Sequence, residues 1–138
     1  MWEAATDNRR VYTNTVNGNQ KNFSLAPSKK NTTAGGWVAM DDSTGEVLWS
    51  TGNPSNPTAY GPVTLANGVL FAGSTNSKGA IYAMSAAKGS ILWSYNTGVP
   101  VNSGMSVSNG CIYVGKGGRA DLGNPNTTLH AFCVIDDE

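Results

Sequence analysis

The chain has 138 residues and equal numbers of basic and acidic side chains, so its formal net charge is zero. Charged residues make up 13% of it, roughly half the share of an ordinary soluble domain, and no Lys/Arg cluster offers the electrostatic footprint of a nucleic-acid or polybasic membrane binder. Segments 47–77 and 89–115 carry no charge at all, which excludes charge-faced helices and coiled coils there.

Length allows one domain, and 39% hydrophobic residues can build its core. No window keeps apolar residues at helical spacing, and no apolar run is long enough to span a bilayer. Short β-branched and aromatic runs alternate instead with Gly, Asn, Ser and Pro clusters, which predicts many short strands. Taken along the chain, strands are expected near 3–6, 11–15, 36–41 and 47–51. A second set follows near 62–66, 69–74, 80–85 and 90–95, and a third near 104–108, 111–115 and 128–134. Residues 15–35, with Pro27 and two glycosylation sequons, read as an exposed loop. Asn67-Gly68 and Asn109-Gly110 each sit between strand-like runs, and Asn-Gly tolerates the two positive φ angles of a type I′ turn. The run from Thr6 to Tyr12 reads as a weaker copy, with Arg9 in the glycine place.

The repeats set the expected architecture. Ala39, Met40, Gly45, Leu48 and Trp49 recur as Ala83, Met84, Gly89, Leu92 and Trp93, and a third copy opens at Leu129. A period of about 40–45 residues with four strands per unit is that of a β-propeller blade. The expected fold is therefore all-β: a partial propeller of about two and three-quarter antiparallel blades, at 3–51, 62–95 and 104–134. Such an open array leaves apolar faces and strand edges exposed. The chain is thus expected to be the C-terminal portion of a longer propeller, or to self-associate. Trp49 and Trp93 are expected to pack one blade on the next.

The run Ala39-x-Asp41-x-x-x-Gly45-x-x-x-Trp49 resembles the tryptophan-docking motif of the quinoprotein propellers, which include the dehydrogenases that use pyrroloquinoline quinone (PQQ). Ala83, Gly89 and Trp93 repeat it, with Ser85 in place of the acid. Residues 2–134 as a whole are similar to plant proteins described as polyvinyl-alcohol-dehydrogenase-like. The runs 35–41, 61–71 and 107–113 carry that likeness. The resemblance implies a structural role for the motif, and a parent protein that is a quinone-dependent alcohol oxidoreductase or a non-enzymatic relative. It also implies PQQ and calcium at the ring axis, with an aspartate base and often a disulfide between adjacent cysteines. No adjacent cysteine pair occurs here.

No catalytic or cofactor-binding residue is assignable from the chain. Asp41, Asp42 and Asp121 qualify as a base by residue type only and read as turn or loop carboxylates. Cys111 and Cys133 fall on neighbouring strands and are either disulfide-bonded or buried thiols. His130, the one histidine, aligns with Tyr82 and Val38 and reads as a packed strand residue. It has no second histidine for a metal site and no G-x-S-x-G context for a hydrolase. Gly110, Gly115 and Lys116 nearly spell a phosphate-binding loop, but Gly117 stands where Ser or Thr must hold magnesium. Lys116, Arg119 and Asp121 are the place to look for an anionic ligand. Sequons at Asn22, Asn31 and Asn126 suggest an exported glycoprotein. The first residues lack a secretory signal pattern. The expected partners are the remaining blades or further copies of the chain, with a small alcohol or glycan as ligand. The alternative function is a non-catalytic extracellular binding module.

Overall fold

The computed structural model describes residues 3–54, 57–116 and 128–135. Within them every regular element is a strand. Sheet one has the order β1 (Ala5–Thr6), β2 (Arg10–Thr15), β5 (Gly36–Asp41), β6 (Val47–Gly52). Sheet two is a meander of β7 (Thr64–Ala66), β8 (Val69–Gly73), β9 (Ala80–Ser85) and β10 (Ile91–Asn96). Sheet three contains β11 (Met105–Ser108), β12 (Cys111–Lys116) and β13 (Thr128–Cys133). All pairings are antiparallel.

Turn chemistry sets the registers. Asn67 and Gly68 have φ of 47° and 75°, and Asn109 and Gly110 have 48° and 72°. Both pairs therefore form turns with two left-handed centres, and Ala66 faces Val69 as Ser108 faces Cys111. The β1–β2 turn departs from the expected copy. Only Asn8 is left-handed there, with φ 67°. The Asp7 carboxylate closes that turn by accepting the N–H groups of Arg9 and Arg10 at 3.1 and 2.8 Å. Arg9, which has a Cβ, has no need to take the glycine conformation.

The three sheets stack face on face around two cores. Tyr12, Trp37, Ala39 and Trp49 of sheet one meet Leu70, Ala72, Tyr82 and Met84 of sheet two. The opposite face of sheet two presents Phe71 and Ile81 to Met105, Ile112, Val114 and Phe132, with Val101 of the connecting loop between them. Sheet two is covered on both sides, which is why β9 reads as an unbroken apolar run, Ala-Ile-Tyr-Ala-Met. Its alanines permit close approach of the flanking layers. The stacked antiparallel sheets make the chain a partial β-propeller.

A second expectation is corrected. Residues 15–35 are not simply an exposed loop. They contain a two-stranded ribbon, β3 (Phe23–Ser24) paired with β4 (Asn31–Thr32). Ala26 reaches the outer edge of sheet one, where its carbonyl accepts the Ser50 N–H and its own N–H donates to Ser50 Oγ, both at 2.8 Å. An unpaired edge has free backbone groups to satisfy, and the insertion satisfies the Ser50 N–H of β6. Asn17 clasps its base, donating through Nδ2 to the carbonyls of Lys21 and Thr33, each at 2.9 Å.

Candidate functional site: the seams between sheets

The first seam is built around Trp49. A register shift between Ala39 and Met40 lies where β6 delivers the indole, and Tyr12 flanks the ring at 6.2 Å. The indole N–H donates to the carbonyl of Ala86 at 2.8 Å, across to the β9–β10 turn of sheet two. Gly89 of that turn, at φ 70°, lies against the ring: a Cβ there would stand 2.6 Å from Trp49 Cδ2. Thr51 Oγ1 donates to the Gly89 carbonyl at 2.6 Å. Glycine serves twice here, for the left-handed turn and for the close approach.

The turn itself is held by the motif's acidic position. Asp41 Oδ1 accepts from Ser43 Oγ at 2.6 Å, Thr44 N at 2.9 Å, Ser43 N at 3.0 Å and Thr44 Oγ1 at 3.0 Å. These bonds, led by the one from the Ser43 hydroxyl, bring its carboxyl down to about 2 from an ordinary 3.8. Asp41 is a turn-forming carboxylate, engaged by its own turn. In the second copy Ser85 Oγ takes only the N–H of Lys88, at 3.3 Å. Both turns close alike, the glycine N–H donating to the carbonyl of residue 41 or 85 at 2.9 and 2.7 Å.

The two copies differ in what covers them. Gly45, at φ 73°, has nothing within 4 Å of the place a Cβ would occupy. Trp93 is 38% exposed. It stacks beside Tyr95 at 6.2 Å and meets Phe132 edge-on at 5.2 Å. His130 joins this aromatic group, parallel to Phe132 at 5.8 Å, and its Nε2 is buried without a hydrogen-bond partner. Cys111 and Cys133 face each other in register and are disulfide-bonded.

A second constellation lies in the loops after β6 and β8. Asn53 Nδ2 donates to Thr58 O at 3.0 Å and meets Ser74 Oγ at 3.1 Å, and Thr58 and Thr75 share a hydroxyl–hydroxyl bond of 2.9 Å. Asn53 and Ser74 are buried, and Asn53 Oδ1 has no hydrogen-bond partner. Sequence reasoning singled out none of these residues; only the fold brings them together. All of them are neutral.

The chemistry available in that network is hydrogen bonding. Among the described residues no group of three or more His, Cys, Asp or Glu could hold a metal ion. The PQQ and calcium of the quinoprotein enzymes need a carboxylate base and anionic ligands. The buried loop network supplies amides and hydroxyls only, so that network does not fit the group. Asp42 is exposed. Asn22 and Asn31 are exposed around the β3–β4 ribbon, where Ser24 Oγ donates to Asn31 Oδ1 at 2.7 Å. Lys116 ends β12, while Arg119, Asp121 and Asn126 lie outside the described residues.

Comparison with known proteins gives the lineage. The PQQ_2 family model, described as outer membrane protein assembly factor BamB, matches residues 34–126, about two thirds of the chain. Among solved structures, the quinohemoprotein alcohol dehydrogenase from Comamonas testosteroni is similar, with a TM-score of 0.53 and 21% identity over 60% of this chain. The chain spans only 14% of that enzyme's length. No curated protein matches the sequence. With the family match covering the Trp49 seam and both glycine turns, the chain belongs to the PQQ_2 family of propeller repeats.

Proposed function

We propose that these residues form a wedge of a larger ring, in an exported protein whose parent is an alcohol oxidoreductase of quinone-dependent type. Within that type the plant polyvinyl-alcohol-dehydrogenase-like proteins are the specific kin. One observation carries the reading. The first seam joins a tryptophan to a glycine turn, and the same parts recur unpaired on either side of it, as the open Gly45 turn and the half-open Trp93. A stack with a spare acceptor turn and a spare indole suits more sheets than three. The segment's role is then scaffolding: it holds loops at the end of the ring, while quinone and calcium ligands come from other blades. Titrating the parent protein with PQQ and Ca²⁺ tests this. The expected results are a change in the quinone absorbance and alcohol-dependent reduction of an artificial dye. Neither appearing at saturating quinone would overturn the oxidoreductase reading.

A non-catalytic binding module is the second reading, and the neutral Asn53–Thr58–Ser74–Thr75 network favours it. Uncharged amides and hydroxyls suit the recognition of polyhydroxylated ligands such as glycans, and propellers host many unrelated functions. Glycan-array binding by the parent, without dye reduction, would select this reading. Export carries its own test. Secreted from a eukaryotic host, the chain should lose mass on treatment with an N-glycosidase, and the loss should diminish in Asn22→Gln and Asn31→Gln variants.

A further inference from the structure

Asn-Gly occurs three times in the chain, at 17–18, 67–68 and 109–110. As sequence the three are alike. Asparagine is a chemically labile residue, and in each pair the next nitrogen belongs to a glycine, with no Cβ to hinder its approach to the carboxamide. The fold separates them. Asn17 is half-buried and its amide is clasped at both ends: Nδ2 lies 2.9 Å from the carbonyls of Lys21 and Thr33 and 3.2 Å from that of Ala34, and Oδ1 accepts the Lys21 N–H at 3.1 Å. Asn67 and Asn109 are exposed, and among the described residues no hydrogen bond holds either carboxamide.

These two turns leave the attacking nitrogen free as well. In a type I′ turn the hydrogen bond joins the residues that flank the central pair, so the second central N–H has no acceptor within the turn. Gly68 and Gly110 hold that place, and nothing lies within 4 Å of where a Cβ of either would stand. Each turn also carries a latch: Gly68 O accepts the Ala86 N–H and Gly110 O the Val134 N–H, both at 2.9 Å. Asn67 and Gly110 line the apolar groove between sheets two and three, in the stretches of chain that carry no charge.

We infer that Asn67 and Asn109 are sites of spontaneous deamidation to isoaspartate, and that the clasp protects Asn17. The glycine nitrogen attacks Cγ of the preceding asparagine. The N–Cγ bond forms, the Cγ–Nδ2 bond breaks, and the glycine amide hydrogen leaves with the amide group as ammonia. Water then opens the succinimide. Opening at the side-chain carbonyl gives aspartate, and opening at the main-chain carbonyl gives isoaspartate, whose main chain is longer by a methylene. The balance is one water taken up and one ammonia released, with no oxidant or metal. The longer backbone cannot keep the geometry of a two-residue turn, so the latches from Ala86 and Val134 are released. The new carboxylate also sets a negative charge at the rim of an uncharged groove. The product presents the group that isoaspartate-specific carboxyl methyltransferases recognise.

The test holds the folded chain in mildly alkaline buffer at body temperature. Peptides spanning the three sites are then separated and weighed, and isoaspartate is counted by enzymatic methyl transfer to its free carboxyl. Asn67 and Asn109 should both convert. Asn17 should convert on the order of tenfold more slowly or worse, because several hydrogen bonds must break before its Cγ can reach the nitrogen. In concentrated urea the three rates should converge, since the fold alone distinguishes the dipeptides. Amide exchange at Ala86 and Val134 should quicken in step with the isoaspartate content of the folded chain. Conversion of Asn17 at the rate of the other two in the folded chain would overturn the inference. So would Asn67 and Asn109 staying intact in the folded chain while all three convert in urea, because the turns would then protect what they expose. Isoaspartate at both sites with unchanged exchange at Ala86 and Val134 would overturn the release of the latches.

Discussion

Gly45 and Gly89 are the same residue of the same motif, yet the structure gives them different loads. Both are left-handed, at φ 73° and 70°. Alanine at either costs about 1 kcal/mol for that conformation. Only at Gly89 does the new Cβ meet an indole, adding roughly 1–3 kcal/mol of overpacking. Urea unfolding should therefore rank Gly89→Ala well below Gly45→Ala, and equal losses would mean that Trp49 does not sit on this turn. Asp41 carries a pH signature. Its carboxyl is held at about 2, against an ordinary 3.8, first by the Ser43 hydroxyl and then by the other bonds of the turn. A carboxyl depressed on folding contributes stability that is complete above its unfolded value and lost as pH falls toward the folded one. The urea midpoint should thus drop between about pH 4 and pH 2. Asp41→Asn should start lower at pH 7 and drop less over that interval. A variant with an unchanged acid limb would show that the turn bonds do not hold the charge. Asp7 acts in the same direction: desolvation pushes it up, but bonds from the Tyr12 hydroxyl and the N–H groups of Arg10 and Arg9 outweigh this and lower it.

At the scale of elements, the strands were legible because each Asn-Gly turn imposes its own register and each β-branched run fits a pleat. The ribbon at 23–32 was not legible. Two-residue strands leave no periodicity, and the insertion is held through the Ala26 backbone, which bonds the Ser50 N–H and the Ser50 hydroxyl and leaves no pattern in the sequence. The Asn53–Thr58–Ser74–Thr75 network was hidden for a similar reason: its members come from two loops, and each alone is an ordinary turn residue. The cysteines stood between two readings because sequence cannot say which faces of adjacent strands align. The register pairing Cys111 with Cys133 decides the matter. The bond closes a loop with a separation of 22 residues, for which chain-entropy estimates give about 3 kcal/mol. The Cys111→Ser/Cys133→Ser double variant should lose roughly that amount in denaturant unfolding under non-reducing conditions. Reducing agent should then have no further effect on it. A loss below about 0.5 kcal/mol would mean that the loop is already constrained by β12 and β13 alone.

For the whole molecule, stability should be graded across the stack, because the sheets are not equally covered. β8 and β9 lie between two cores, so their amide hydrogens can exchange only when both seams separate. Among the described residues, sheet three packs against sheet two alone and has no strand beyond β13, and Leu129 and Val134 are 70% and 75% exposed. Repeat architectures gain stability from each neighbouring interface, so a unit with one neighbour opens before a unit with two. Native-state hydrogen exchange should therefore find the highest opening free energies in β8 and β9. β11–β13 should open in a separate, cheaper step. Two core truncations divide the prediction further. Ile81→Ala removes apolar volume from the core facing sheet three, at a cost of about 2–5 kcal/mol, and should lower protection most in β11–β13. Leu70→Ala, on the opposite face of sheet two, should lower it most in sheet one. If both variants reduced every amide equally, the molecule would be unfolding as one unit. The seams would then not be independent interfaces.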